Sequence, residues 1–150
     1  MQKQYVIFKL NREEYGVEIS HVQEITEIKS ITSVPNTPPF VEGIINLRGK
    51  IVPIVSIKKR FGLSKMEGAE EERIIIINLN DRQVGFVVDD ASQVLTLDES
   101  QIENPPELVA GIDRDYIIGI GKVEEKIIVL LDLEKILTET EKREIRAMET

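Results

Sequence analysis

Apolar residues in this chain come in short blocks rather than at the three-and-four spacing of a helix. Val6–Leu10, Tyr15–Ile19, Gly43–Leu47, Ile51–Ile57, Ile74–Leu79, Val84–Val88, Tyr116–Ile120 and Ile127–Leu133 are strand-length and are bounded by Gly, Asn, Asp or Pro, which end strands. The blocks are built from 23 Ile and 14 Val against 11 Leu. Side chains branched at Cβ lose rotamer freedom in a helix and pack well on a pleat, so this ratio predicts a mainly β fold. Asn11-Arg12-Glu13-Glu14 and Asn80-Asp81-Arg82-Gln83 separate neighbouring blocks at hairpin distance. Helix signals are fewer. Asp132 is placed to cap a segment through Leu133, Ile136 and Leu137, and Ser56 to start a short helix through Lys58-Lys59-Arg60-Phe61 that stops at Gly62. In that helix the three basic residues read as a solvated polar face. The charged tail 139–150 is expected to fray, and 64–72 and the Pro105-Pro106 region read as loops.

The two halves of the chain resemble each other. Leu10-Asn11 and Tyr15-Gly16-Val17-Glu18-Ile19 return 69 places later as Leu79-Asn80 and Val84-Gly85-Phe86-Val87-Val88. Gly43–Leu47 falls on Tyr116–Ile120 at a shift of 73, and Ile51–Ile57 on Ile127–Leu133 at 76. Duplication is the reading favoured over chance similarity of apolar strands. The copies, approximately 14–65 and 73–133, imply two small β units of four or five strands. Strands this short gain stability by curling into barrels, and a groove is expected where two such units meet. The repeat breaks at one place. Copy one turns through Asn46-Leu47-Arg48-Gly49-Lys50, whereas copy two reads as a longer connection, Gly119 to Lys126, with no arginine. A purely structural arginine would be needed in both copies, so Arg48 is a candidate for recognition.

Composition narrows the function. Over 150 residues, 19 Lys and Arg stand against 27 Asp and Glu, a net charge of −8, which opposes general binding to nucleic acid or anionic lipid. No cysteine is present, which excludes disulfides, thiolate metal sites and cysteine nucleophiles. The start of the chain lacks a signal-peptide pattern, and the longest apolar run, Ile127 to Leu131, is far short of a membrane span; a cytoplasmic protein is expected. Gly119-Ile120-Gly121-Lys122 lacks the earlier glycine and the Ser or Thr of a phosphate loop. Asp89-Asp90 and Asp113-Arg114-Asp115 are too sparse for a cation site, and the single histidine, His21, has no hydrolase spacing around it. No enzyme, cofactor or metal site is expected. A barrel binding single-stranded nucleic acid in the OB manner is the alternative, but it needs exposed aromatics and a basic groove. Four Phe, three Tyr and one basic run, Lys58-Lys59-Arg60, are poor material for it.

An interaction module fits better. Between Ile19 and Ile28, Val22, Glu24, Ile25, Glu27 and Ile28 mix apolar and acidic positions, and interfaces combine apolar patches with a few fixed charges, arginine among them. A Glu24–Arg48 ion pair would orient the guanidinium; an ordinary exposed salt bridge is the other reading. Glu14-Tyr15-Gly16-Val17-Glu18-Ile19 with Val22-Gln23-Glu24-Ile25, then Pro35-Asn36-Thr37-Pro38 and Gly43-Ile44-Ile45-Asn46-Leu47-Arg48-Gly49-Lys50-Ile51-Val52-Pro53-Ile54-Val55, resemble the CheW family of chemotaxis adaptors. Val84-Gly85-Phe86-Val87-Val88-Asp89 and Val94-Leu95 continue the match, which spans roughly Gln4 to Leu137. The resemblance implies one domain over 1–150 of two intertwined five-stranded barrels, SH3- or OB-like, with a groove between them, a C-terminal helix and a charged tail. It implies a non-enzymatic scaffold that couples methyl-accepting chemoreceptors to the histidine kinase CheA and is recruited to membrane-bound receptor arrays. By the same resemblance, the receptor's cytoplasmic hairpin tip docks between the barrels, and the kinase's regulatory domain packs end to end. Val22, Glu24, Gly43, Arg48 and Gly49 correspond to the family's receptor-coupling positions.

Overall fold

The computed structural model describes residues 1–28, 30–63, 71–79, 81–105 and 116–147. The loop expected over 64–72, the Pro105-Pro106 region, Asp113 with Asp115, and the end of the tail lie wholly or partly outside them. The strands are β1 (Gln2–Leu10), β2 (Glu13–Glu18), β3 (Val22–Glu27), β4 (Val41–Leu47), β5 (Lys50–Ser56), β6 (Glu72–Leu79), β7 (Arg82–Asp98), β8 (Ile102–Glu103), β9 (Ile117–Val123) and β10 (Lys126–Leu131). Two helices, α1 (Ile57–Arg60) and α2 (Glu139–Ala147), complete the described elements with a few 3-10 turns.

The strands form one hydrogen-bonded sheet, with β5 and β4 branching from β7, not two separate sheets. What makes two units of it is β7, which is 17 residues long. Its first half pairs with β6 and, in parallel, with β5; its second half pairs with β1. Unit one is therefore β3-β6-β7-β5-β4, and unit two is β7-β1-β2-β10-β9 with β8 added on β9.

Pairing registers reproduce the sequence repeat. Gly16 lies opposite Ile7 on β1 and beside Leu130 on β10, and Gly85 lies opposite Ile76 on β6 and beside Ile54 on β5. Each glycine strand thus pairs with a strand of its own copy on one side and with the closing strand of the other copy on the opposite side. Both positions are crowded. A Cβ on Gly85 would sit 2.6 Å from Ile54 Cδ1 and 2.7 Å from Ile74 Cγ2, and one on Gly16 would sit 3.1 Å from Ile7 and from Leu130. The second half of β7 is the counterpart of β3: Glu24 faces Ile76 as Gln93 faces Ile7.

One alignment from the sequence is corrected by these registers. Gly43 pairs with Ile54 as Gly119 pairs with Leu130, and both hairpins carry an irregularity one step further out. The shift is therefore 76 for both strands, not 73 for the first of them. Both turns hold two residues, Arg48-Gly49 between Leu47 and Lys50, and Glu124-Glu125 between Val123 and Lys126. The longer second connection does not exist. Gly-Ile-Ile and Tyr-Ile-Ile align equally well as text; only the partner strand fixes register.

Side chains alternate between two cores. Ile74 and Ile76 point into unit one with Ile45, Leu47, Val52 and Ile54, while Tyr5 and Ile7 point into unit two with Leu97, Ile128 and Leu130. Ile75 and Ile77 face a third layer between the units, with Phe8, Phe86, Val88 and Leu131, which is the largest of the three. Phe8, Tyr15, Phe61 and Tyr116 form a row there, Phe8 stacked 6.0 Å from Tyr15 and Phe61 stacked 5.0 Å from Tyr116. Where the units meet, the molecule is packed through with apolar side chains.

The helices differ from expectation at the C-terminus. Ser56 caps α1 as predicted, its Oγ accepting from Lys59 N–H at 3.2 Å. Asp132 caps too, accepting from Glu134 N–H at 3.0 Å, but only a 3-10 turn over Leu133–Lys135 follows. The helix forms instead in the charged tail. Thr138 and Glu141 cap each other reciprocally, Thr138 N–H to Glu141 Oε1 at 2.8 Å and Glu141 N–H to Thr138 Oγ1 at 3.1 Å. Ile145 is buried in the shared layer, and Glu141 meets Arg60 at 3.4 Å. Thr-x-x-Glu is a capping-box signature, overshadowed in the sequence by the surrounding charge. Thr138→Ala should speed amide exchange in α2 about fivefold, the effect of a cap worth ~1 kcal/mol, and leave strand amides unchanged.

Candidate functional site

The β4–β5 turn places a cation at one end of unit one. Arg48 and Gly49 both adopt left-handed conformations, φ 51° and 88°, as in the two-residue turns that match strand twist. Asn46 locks the turn, its Oδ1 accepting from Gly49 N–H at 2.8 Å. The Arg48 side chain leaves this bend into solvent, 68 % exposed, and both of its terminal nitrogens donate to Glu24, Nη2 to Oε1 and Nη1 to Oε2. A forked arginine–carboxylate pair holds the guanidinium plane in one orientation. The hydrogen bond donated to Glu24, and then the charge of that carboxylate, raise the Arg48 pKa further, so the cation persists at any working pH.

Glu24 comes from β3, the edge of unit one's sheet opposite to β4. The ion pair therefore links the two edges of the curled unit. On β3, Val22, Glu24 and Thr26 are half-buried while Gln23, Ile25 and Glu27 are exposed; the register breaks between Val22, opposite Ile77, and Glu24, opposite Ile76, so the two side chains follow different faces of the sheet. Val22 packs on the shared apolar layer. Gly43 serves the backbone: a Cβ there would fall 2.1 Å from the Thr32 carbonyl oxygen, which accepts from Ile44 N–H at 2.9 Å. Glu24 and Arg48 are thus brought together at the turn that Gly49 shapes, Val22 lies two residues along β3 on the shared layer, and Gly43 fits β4 to its neighbour.

Unit two lacks this site. Its counterparts of Glu24 and Arg48 are Gln93 and Glu124, an amide and an anion that cannot pair in that way. Gln93 instead lines a shallow cavity of about 120 Å³ with Lys9, Glu14, Asp90 and Lys126, where Lys126 meets Glu14 at 3.7 Å. By contrast Gly43 is matched by Gly119, whose Cβ would meet Ile102 at 2.7 Å and the Glu103 carbonyl at 3.4 Å. The glycine is common to both copies and the arginine is not. Exposed aliphatics do recur in pairs, Ile25 with Val94 and Ile51 with Ile127. Exposure of Ile51 was hidden in the sequence, because its block is apolar on both faces.

Among the described residues no group of three His, Cys, Asp or Glu is arranged to hold a metal. Lys58 is not on a solvated helix face as expected: it is buried, and its Nζ lies 2.6 Å from Asp89 Oδ2. The Lys58-Lys59-Arg60 run is thereby dispersed, since Lys59 pairs with Glu42 at 2.8 Å and Arg60 lies over the Phe40 ring. A cavity of about 320 Å³ on unit one, lined by Ile28, Ile31, Leu63 and Val87 among others, has its nearby lysines neutralised by these partners. Among the described residues no helix is long and apolar enough to cross a membrane.

Comparison with known proteins agrees with this architecture. A family model described as a CheW-like domain matches residues 4–141. The chain is 39 % identical over 139 residues to the chemotaxis protein CheW of Klebsiella aerogenes, covering 93 % of this chain and 84 % of that protein. It is 35 % identical over 135 residues to the chemotaxis protein CheW of Bacillus subtilis, covering 88 % and 85 %. The crystal structure of the scaffolding protein TtCheW from Thermoanaerobacter tengcongensis is similar with a TM-score of 0.84 and 41 % identity, over 94 % of this chain and 91 % of that one. A mainly β chain of two exchanged barrel-like units, matched over nearly its whole length, belongs to the CheW-like family of non-enzymatic chemotaxis scaffolds.

Proposed function

We propose that this scaffold couples methyl-accepting chemoreceptors to the histidine kinase CheA, and that the Arg48–Glu24 pair marks its receptor-facing end. The observation that carries the reading is a fixed, exposed guanidinium built in one copy of the repeat and absent from the other. Val22, Glu24, Arg48 and Gly49, supported by Gly43, receive the tip of the receptor's cytoplasmic helical hairpin. CheA's regulatory domain packs against an end of the molecule, and these protein contacts bring a cytoplasmic scaffold to membrane-bound arrays. No bond chemistry is needed. A shift in the receptor changes how scaffold and kinase are held, and the kinase repopulates its states. Single-stranded nucleic acid is a poor fit, because every aromatic side chain is buried or half-buried and none forms an open stacking platform.

Binding of a receptor cytoplasmic fragment and of CheA to Arg48→Ala tests the proposal. Receptor affinity should fall on the order of tenfold or more, as for an interface arginine, with kinase binding and melting temperature unchanged. Undiminished receptor affinity overturns the assignment, and so does a large loss of thermal stability, which would make the arginine structural.

A further inference from the structure

Asp89 stands where β7 passes from one unit to the other. Its backbone pairs with Glu72 of β6 in unit one and with Lys9 of β1 in unit two. The next residue, Asp90, adopts a left-handed φ of 48°, and its N–H donates to the Glu71 carbonyl at 2.8 Å. The ladder to β1 breaks register just there, between Ile7 and Lys9. The Asp89 side chain also reaches both units. Oδ2 meets Lys58 Nζ of α1 at 2.6 Å and accepts from Asn11 N–H, in the β1–β2 turn, at 3.1 Å. Asp89 is 1 % exposed, and its Oδ1 has no hydrogen-bond partner among the described residues. A buried carboxylate with a spare oxygen is held by its cation, and such a pair contributes geometry more readily than stability. The other copy has Ser20 and Glu134 at the matching positions, so this contact is made once.

We infer that the Lys58–Asp89 pair is a positioning device that sets the angle between the two units at the β7 crossover. Its consequence for signalling rests on the function proposed above: a scaffold that holds a receptor at one place and a kinase at another transmits force only if its units keep a defined angle. Replacing both charges with apolar groups of similar volume removes the directional contact without stranding a charge.

Since the chain has no cysteine, spin labels can be placed at Glu27→Cys on β3 and Glu125→Cys in the β9–β10 turn, both exposed sites. With Lys58→Met and Asp89→Leu combined, the inter-label distance distribution should become about twofold broader, as for a released hinge, while receptor-fragment affinity stays unchanged. Asp89→Asn, which keeps an acceptor for Asn11 N–H but loses the charge, should broaden it in the same sense and serves if the double variant does not fold. Receptor-dependent kinase control should fall on the order of tenfold through the loss of one populated geometry. An unchanged distance distribution in either folded variant overturns the inference. A broadened distribution with intact kinase control upholds the positioning role and counts against the proposed coupling route.

Discussion

Gly43→Ala should lower the melting temperature by roughly 6–12 °C, which corresponds to about 3 kcal/mol for a chain of this size. The added methyl would lie 2.1 Å from the Thr32 carbonyl oxygen and 2.8 Å from its carbon, and these are backbone atoms that no rotamer change can move. A φ of 143° adds strain for any L side chain. The two hydrogen bonds between Thr32 and Ile44, each 2.9 Å, must break for the strand to shift, and the edge of unit one loses its cover. Gly49→Ala is the control. It also sits at positive φ, but nothing lies within 4 Å of its added Cβ, so only the left-handed penalty of about 1 kcal/mol applies. Thermal denaturation of both variants checks this. A Gly43→Ala protein as stable as Gly49→Ala would show that the close approach of Thr32 does not exist in solution. Any receptor-binding loss in Gly43→Ala is then expected to come from the disturbed strand.

The largest functional loss is expected from Glu24→Arg, which places two guanidinium groups where a forked pair stood. Receptor binding should fall on the order of 100-fold, because the site loses both its carboxylate and the orientation of Arg48. The variant should still fold, since both side chains reach solvent and exposed ion pairs contribute little to stability. Adding Arg48→Glu restores a pair of reversed polarity and should recover part of the affinity. The two changes must therefore be non-additive in a double-mutant cycle. If the losses simply add, the two residues act independently and the forked pair has no role in recognition.

Much of the fold was legible one strand at a time. The excess of Ile and Val, the turn residues at Asn11 and Gly62, and the Ser56 and Asp132 caps all act within a few residues, so their local chemistry decides the outcome. Arg48 was readable as a candidate because the other copy of the repeat has no arginine at its turn, and Glu24 as its partner because it stands in a segment mixing apolar and acidic positions. Reading failed where two segments distant in sequence had to be compared. The shift at β9 could not be resolved because register depends on the strand opposite. Lys58 looked solvated because its partner, Asp89, lies 31 positions away on the crossover strand. Helix α2 looked too charged to hold, because its buried anchor, Ile145, needs the shared layer as its partner.

Alternating and continuous apolar blocks, with their turns, were sufficient to determine that this chain makes strands in two related sets and that the turn from Asn46 to Lys50 carries an arginine without a counterpart in the other set. Which set completes which unit was decided only in three dimensions. Gly16 and Gly85 each admit a bulky side chain from the other copy's closing strand, so the copies exchange strands, and the space between them fills with apolar side chains. Hydrogen-bond ladders and close packing are satisfied by pairs of segments, and a linear string holds no record of which pairs will form.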